Sequence, residues 1–366
     1  MQKLRYIVII LIIVISSSIV YGENLNLSGE SYILMDCKTG RVLYEKNAHE
    51  QKPMASTTKI MTALVALENG NLEEQVTIDK NWVGVEGSSI YLKEGEVISL
   101  KDLLYGLLLR SGNDSAVAIA SHVGGTIEEF IELMNKKAQE LGALNTNFMN
   151  PHGLHHDLHY STAYDLALIT RAAFSYEDFS NIVKSKSYIS NRETDNYFYN
   201  KNKTLWEYIG GDGVKTGYTT KSGRCLVSSA TRNGMHLIAV SLKAGDWFND
   251  NYKLLEYGFN NYKTYLIYDK GQFIKNVKIV NGDKEYVSLI SGDSLIYPLS
   301  PEERSKINIG FEIFNSFEVP IEKGQILGHM STYLDGKLIE KTNLVAKSSI
   351  KKANLIERIL RRVKNK

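Results

Sequence analysis

The sequence predicts an α+β protein in which helices pack with an antiparallel sheet, followed by a small all-β domain and a C-terminal amphipathic helix. Three observations carry this. Apolar residues recur at helical spacing in Ile60, Met61, Ala63, Leu64 and Leu67, and again between Leu100 and Leu141. Strand-like runs bracket turn signals at Ser31 to Asn47 and at Cys225 to Leu242, where Arg232-Asn233-Gly234 contains the Asn-Gly of a tight hairpin. After about Thr264 the chain changes to short alternating runs, among them Val277 to Val280, Tyr286 to Ile290 and Ile326 to His329. The expected divisions are 1–22, 23–262, 263–346 and 347–366.

At the N-terminus, Lys3 and Arg5 precede an apolar run from Tyr6 to Ile15, then Ser16-Ser17-Ser18 and a Val20-Tyr21-Gly22 sequence that fits cleavage before Glu23. This is the pattern of a secretory signal peptide over 1–22. The run is short for a membrane span, which needs about 20 residues; an uncleaved anchor is the alternative. With 366 residues, 43% of them apolar, the chain builds a core without staples. Cys37 and Cys225 form neither a disulfide framework nor a metal pair in sequence, and each is expected as a buried free thiol. A net charge of +2 gives no general attraction to nucleic acid.

The stretch with the clearest chemistry is Pro53 to Leu64, where Ser56 and Lys59 stand three residues apart at the start of a helix expected from Ser56 to Asn69, with Gly70 as its stop. Residues i and i+3 share a face, and free N–H groups in the first turn favour developing negative charge. A serine hydroxyl needs a base to become a nucleophile. A lysine serves only when neutral, and bringing its pKa from about 10.4 to near 7 costs roughly 1.4 kcal/mol per unit. Ser-x-x-Lys alone is weak, since it recurs at Ser348 to Lys351 and Ser349 to Lys352.

The helical middle breaks at Arg110-Ser111-Gly112-Asn113-Asp114, a turn that projects a hydroxyl and a carboxamide from a rigid base. An ordinary N-cap by Ser111, Asn113 or Asp114 explains the same residues. The segment from Asn147 to Thr162 holds His152, His155, His156, His159 and Asp157, but its Pro, Gly and Asp mark an irregular loop without metal-site spacing, so no metal is expected; Ser161 reads as the start of the next helix.

Lys-Thr-Gly occurs twice. Lys38-Thr39-Gly40 joins two strands and is turn chemistry. Lys215-Thr216-Gly217 leads into the antiparallel sheet, where Lys215 and Thr216 can meet a carboxylate and Gly217 lets a substrate backbone lie close. A helix from Trp247 to Tyr257 closes the domain. In the tail, Ile356, Ile359, Leu360 and Val363 share one face amid basic residues, a pattern suited to an anionic membrane surface, with a partner-binding helix or a frayed tail as alternatives.

Ser56-x-x-Lys59, Ser111-Gly112-Asn113 and Lys215-Thr216-Gly217, in that order and setting, resemble the serine-type D-alanyl-D-alanine carboxypeptidases, the low-molecular-mass penicillin-binding proteins of peptidase family S11. The likeness runs from about Ser31 to Tyr262, includes Asn150-Pro151-His152-Gly153-Leu154, and extends less specifically to the β domain and tail. It implies the β-lactamase/transpeptidase-like fold, a five-stranded antiparallel sheet against helices with the motifs meeting in a groove. Under it Ser56 attacks the carbonyl between two D-alanines of a peptidoglycan stem peptide and Lys59 takes its proton; Ser111 relays a proton to the leaving amine and Asn113 bonds the substrate. Lys215 and Thr216 bind the terminal carboxylate, while the N–H groups of Ser56 and Tyr218 form the oxyanion hole. No cofactor is implied, β-lactams are covalent inhibitors, and the protein acts outside the cytoplasmic membrane. A class A β-lactamase would carry Ser-Asp-Asn and a deacylating glutamate, for which only Glu140-Leu141-Gly142-Ala143-Leu144-Asn145 comes near. D,D-endopeptidase or transpeptidase activity and a catalytically silent wall-binding protein are the other readings.

Overall fold

A computed structural model describes residues 25–314 and 317–354. The expected signal peptide and the tail positions Ile356 to Val363 lie outside the described residues. The chain opens with a hairpin of β1 (Ser31–Asp36) and β2 (Val42–Lys46). Every residue of β1 is buried, because each face of the strand meets its own apolar layer. Tyr32 and Leu34 pack with Leu237, Leu254 and Leu255, whereas Ile33 and Met35 join Ile60, Ile238 and Val240. The first Lys-Thr-Gly is a turn as expected: Asp36 Oδ1 accepts from Thr39 N–H at 2.8 Å and from its hydroxyl at 2.7 Å, and Gly40 takes φ +74°.

A tight 3-10 turn, Ala55–Thr58, leads into α1 (Lys59–Asn69). The helix expected from Ser56 therefore begins at Lys59, with Ser56 on the turn before it. A short strand pair, β3 (Gln75–Thr77) and β4 (Val97–Ser99), precedes α2 (Leu100–Tyr105), a π-type turn over Gly106–Arg110, α3 (Asn113–Gly124) and α4 (Ile127–Glu140). The helix expected from Ser161 is α5 (Ala163–Ala173), capped by the Thr162 hydroxyl, which accepts from Asp165 N–H at 3.0 Å. Then come α6 (Glu177–Lys184), the pair β5 (Ser187–Ile189) and β6 (Tyr197–Tyr199), and the single turn α7 (Thr204–Glu207).

Three long strands, β7 (Gly211–Thr219), β8 (Gly223–Arg232) and β9 (Met235–Leu242), complete an antiparallel sheet of order β2-β1-β9-β8-β7. The Asn-Gly hairpin forms as its sequence requires, with φ +49° at Asn233 and +78° at Gly234. The closing helix α8 (Trp247–Asn261) covers one face of the sheet, while α1, α5 and α6 lie on the other. β7 is thus an edge strand beside the helical layer.

Beyond α8, β10 (Lys263–Tyr268) and β13 (Leu295–Leu299) pair with each other. The strands β11 (Phe273–Lys278), β12 (Tyr286–Ser291), β14 (Ile307–Ile313), β15 (Ile326–Leu334) and β16 (Lys337–Ala346) form a second sheet, ordered β11-β12-β16-β15-β14. They enclose a separate core containing Val287, Leu289, Leu299, Leu344 and Ile350. Here the tail expectation needs correction. Residues 347–354 are not helical; Ile350 is fully buried and bridges Ile321, and Lys352 bridges Gly282, so this part of the tail completes the β domain. Arg41, from the first turn, joins the two cores: its guanidinium bonds Pro298 C=O and Glu303 and lies 5.3 Å from the ring centres of both Tyr262 and Tyr297.

The cysteines also part company. Cys225 is a buried free thiol, as expected, but Cys37 is only half-buried. It follows β1 beside His236 of β9, whose Nε2 stands 3.5 Å from the buried Asp212 carboxylate of β7. Burial alone would lower the His236 pKa, but Asp212 and the Cys37 thiol outweigh it and raise it to about 9. A folded-state pKa above the ordinary 6.5 means that the pair's stabilisation is complete below about pH 6.5 and fades as pH rises through 9. His236→Asn is expected to lower Tm by roughly 5 °C at pH 6, with the deficit shrinking by about pH 10; parallel thermal melts across this range check it.

Candidate active site

Ser56 stands on the 3-10 turn because the preceding residue, Ala55, takes φ +48°, which reverses the chain just before the hydroxyl. Two glycines press on this turn. At Gly217 of β7 an added Cβ would lie 3.0 Å from Ser56 N and 3.1 Å from Met54 O. At Gly153, with φ +92°, it would lie 2.0 Å from Ala55 O. A Cβ at Gly153 has no room and one at Gly217 would press on the turn, so the edge strand and the 147–160 loop approach it closely through backbone.

That loop is fastened from beneath. His159 accepts the Met149 N–H at Nδ1 (2.9 Å), so its Nε2–H donates to the Thr58 hydroxyl at 2.8 Å, and that hydroxyl donates to Ala55 C=O at 2.7 Å. Burial, chiefly, holds the His159 pKa down to about 3 and keeps this relay of bonds neutral. Thr62 donates to Pro151 C=O at 2.6 Å. The histidine-rich loop is therefore a backbone support for α1, with the His159 ring fully engaged.

Lys59 lies under Ser56 and is 0% exposed. Its Nζ is 3.2 Å from Ser56 Oγ, 2.7 Å from Asn113 Oδ1 and 2.7 Å from His152 C=O. Burial first, then the positive charges of Lys215 and Lys201, hold its pKa well below the lysine range, against a smaller opposing pull from Asp114. A neutral amine has two N–H bonds and one lone pair. Asn113 Oδ1 and His152 C=O can only accept, so they take both N–H bonds and the lone pair is left for the Ser56 hydroxyl.

Ser111 sits at the end of the π-type turn with φ +67°, and Gly112, not a side chain, caps α3. The N-cap reading of Ser111, Asn113 and Asp114 does not hold. Asp114 instead accepts from Ile90 and Leu92 N–H at 3.1 Å and from the Ser89 hydroxyl at 2.5 Å, tying the preceding loop to α3. Asn113 has both ends engaged, Oδ1 on Lys59 and Nδ2 on Glu86 C=O, so in this structure it positions the amine. On β7, Lys215 is 2% exposed with Nζ on Thr216 C=O at 2.9 Å; burial, then Lys201, brings its pKa down to about 7. Thr216 is half-buried and Tyr218 is exposed at the outer end of the strand.

Sequence reasoning missed four contributors. Lys201, whose own pKa is lowered by burial and by Arg110, stands in a polar Asn-Lys repeat with no motif to mark it. The carbonyls of His152 and Glu86 are backbone groups that any residue supplies. The role of Gly153 was not read, although the Asn150 to Leu154 run that holds it was part of the resemblance. The β-lactamase glutamate finds no support, since Glu140 lies on the surface paired with Lys137 at 2.7 Å.

Comparison with known proteins agrees with this site. The family model described as D-alanyl-D-alanine carboxypeptidase, Peptidase S11, matches residues 20–246, and that of the penicillin-binding protein 5 C-terminal domain matches 262–352. D-alanyl-D-alanine carboxypeptidase DacF of Bacillus subtilis is 35% identical over 338 residues, spanning 89% of this chain and 87% of that protein. DacA of Escherichia coli K12 is 35% identical over 359 residues, 92% and 87% of the two chains. The crystal structure of penicillin binding protein 5 from Haemophilus influenzae superposes with a TM-score of 0.76 at 32% identity, covering 89% of this chain and 98% of its own. A two-domain match of this extent places the chain in the peptidase S11 family of D-alanyl-D-alanine carboxypeptidases.

Proposed function

We propose that the protein removes the terminal D-alanine from peptidoglycan stem peptides through an acyl-serine intermediate, with the residues in the roles that follow. One observation supports the assignment: the buried Lys59 Nζ lies 2.7 Å from two oxygens that can only accept and 3.2 Å from Ser56 Oγ, so that as a neutral amine it turns its lone pair to Ser56. Ser56 Oγ attacks the carbonyl joining the two D-alanines as Lys59 takes its proton, a general-base contribution of about 10²–10⁴ in rate. The developing oxyanion is met by the N–H groups of Ser56 and Tyr218; Gly217, where an added Cβ would stand 3.0 Å from Ser56 N, lets β7 close on the Ser56 turn. Ser111 passes a proton to the departing amine, and water then releases the acyl group.

Lys215 and Thr216 receive the terminal carboxylate, with Lys201 as a third positive or polar partner near them. Both amines lack a carboxylate partner among the described residues, which leaves the charge balance to the substrate. Asn113 holds Lys59 and turns toward substrate only by releasing a bond. A β-lactam presents the same carboxylate and carbonyl, and its ring keeps the leaving amine tethered, so it acylates Ser56.

The setting is the outer face of the cytoplasmic membrane. The signal-like segment around Lys3, Arg5 and the Tyr6 to Ile15 run supports export, and the basic, amphipathic pattern of Ile356 to Val363 supports contact with anionic lipid. Because Ile350 belongs to the β domain core, the tail must be cut after residue 354 to test this. Deleting 355–366 is expected to release the protein from anionic vesicles at moderate salt while leaving peptide cleavage intact. Equal vesicle binding by both forms would remove the anchor.

Intact mass after mixing with benzylpenicillin tests the reaction. The parent protein is expected to carry a long-lived adduct and to release D-alanine from a stem pentapeptide; Ser56→Ala should do neither. Lys59→Arg is expected to lose about 10³-fold in acylation rate, because arginine stays protonated; acylation at the parent rate would exclude Lys59 as the base. Rapid loss of the antibiotic without an adduct would point to a β-lactamase. Gly153→Ala, whose Cβ collides with Ala55 O, is expected to slow acylation by about 10²-fold through displacement of the Ser56 turn, with far-UV circular dichroism unchanged.

A further inference from the structure

Away from the Ser56 groove, at the opposite end of the sheet, a cavity of about 540 Å³ opens between α5, α6 and the ends of β1 and β9. The half-buried thiol of Cys37 lines it, as does the imidazole of His236. Two independent features of this cavity point to one chemistry.

The first is a thiol–imidazole–carboxylate cluster. Cys37 N–H donates to His236 C=O at 2.8 Å, which fixes the two residues side by side on neighbouring strands. The ring of His236 is held edge-on to Phe174, with centroids 4.5 Å apart, and its Nε2 faces Asp212 Oδ1 at 3.5 Å. Asp212 is itself bonded by the Ser229 and Thr231 hydroxyls, so the carboxylate is fixed and charged. The half-buried thiol thus stands in the cavity wall on a fixed backbone frame, within reach of a reagent that enters. Cys225 provides the contrast within one chain: fully buried, with its thiol pushed up to about 11 by burial.

The second is the charge of the walls. Every charged residue lining the cavity is basic: Lys38, Arg171, Lys184 and His236. Arg171 is set in place by bonds to the Cys37 and Lys38 carbonyls at 3.0 and 3.1 Å. Lys38 and Lys184 have no ion pair among the described residues. A roomy, basic cavity with a thiol in its wall selects an anionic reagent.

We propose that Cys37 is a reactive thiol that exchanges with small disulfides bearing carboxylates, which the basic cavity between α5, α6 and the sheet recognises. The Cys37 thiolate attacks one sulfur of R–S–S–R. A Cys37–S–S–R bond forms, the original S–S bond breaks, and RS⁻ departs with the electron pair, taking up a proton from His236 or water. Cys37 sulfur is oxidised and the departing sulfur reduced, so no further oxidant enters. The modification is independent of the hydrolytic chemistry at Ser56.

The test uses the full chain carrying Cys225→Ser. Its modification by glutathione disulfide, net negative, and by cystamine, net positive, is followed by intact mass. Each rate is divided by that of the same reagent with the protein unfolded in guanidinium chloride. The folded protein is expected to favour glutathione disulfide by about tenfold or more. Lys38→Gln with Lys184→Gln, two substitutions at the cavity rim, should abolish that preference. Equal normalised rates for the two reagents, or modification of Cys37 only after unfolding, would overturn the proposal.

Discussion

The burial of one amine governs this structure. Lys59 lies beneath the surface with no carboxylate in contact among the described residues, and a charge so placed is costly unless the proton leaves. What makes the neutral form specific is the pair of acceptors at 2.7 Å, because they dictate where the remaining lone pair points. Those acceptors come from separate segments, the start of α3 and the 147–160 loop. The break between the π-type turn and α3 brings Asn113 to the amine, and the loop brings a carbonyl to it as well. A small error in either would leave the amine aimed away from Ser56.

The second requirement is close approach of backbones. Ser56 is held between an edge strand and a loop, and both contacts run through glycine. An edge strand usually needs protection against pairing with other chains. β7 keeps its outer edge open toward the groove, with Lys215 buried behind it and Tyr218 at its exposed end, the arrangement that suits an extended peptide lying alongside. The cost of the strained φ at Ala55 and Ser111 is offset by the surrounding packing, as at other sites where a reactive side chain must stand clear of its element.

Side-chain motifs made much of this legible in the sequence. Ser56, Lys59, Ser111, Asn113 and Lys215 each stood out by type and spacing, and the Asn233-Gly234 hairpin announced the sheet. What remained hidden was supplied by backbone groups or by distant charges: the His152 and Glu86 carbonyls, and Lys201 in a polar run. A carbonyl has no residue signature, and a lowered pKa depends on burial that spacing cannot report. The true start of α1 was shifted because the sequence pattern does not separate a 3-10 turn from the first turn of a helix. The expected tail helix fails over residues 347–354, because Ile350 is buried in the β domain and bridges Ile321.

Two buried lysines with no ion pair among the described residues also shape the energetics of the protein. Each holds a proton less firmly than it would in water, which is another way of saying that the charged groove opposes folding. An anion entering the groove beside Lys215 offsets that cost. Substrate affinity and resistance to unfolding thus draw on one reservoir, so the state in which the protein is most robust is the one in which it is occupied.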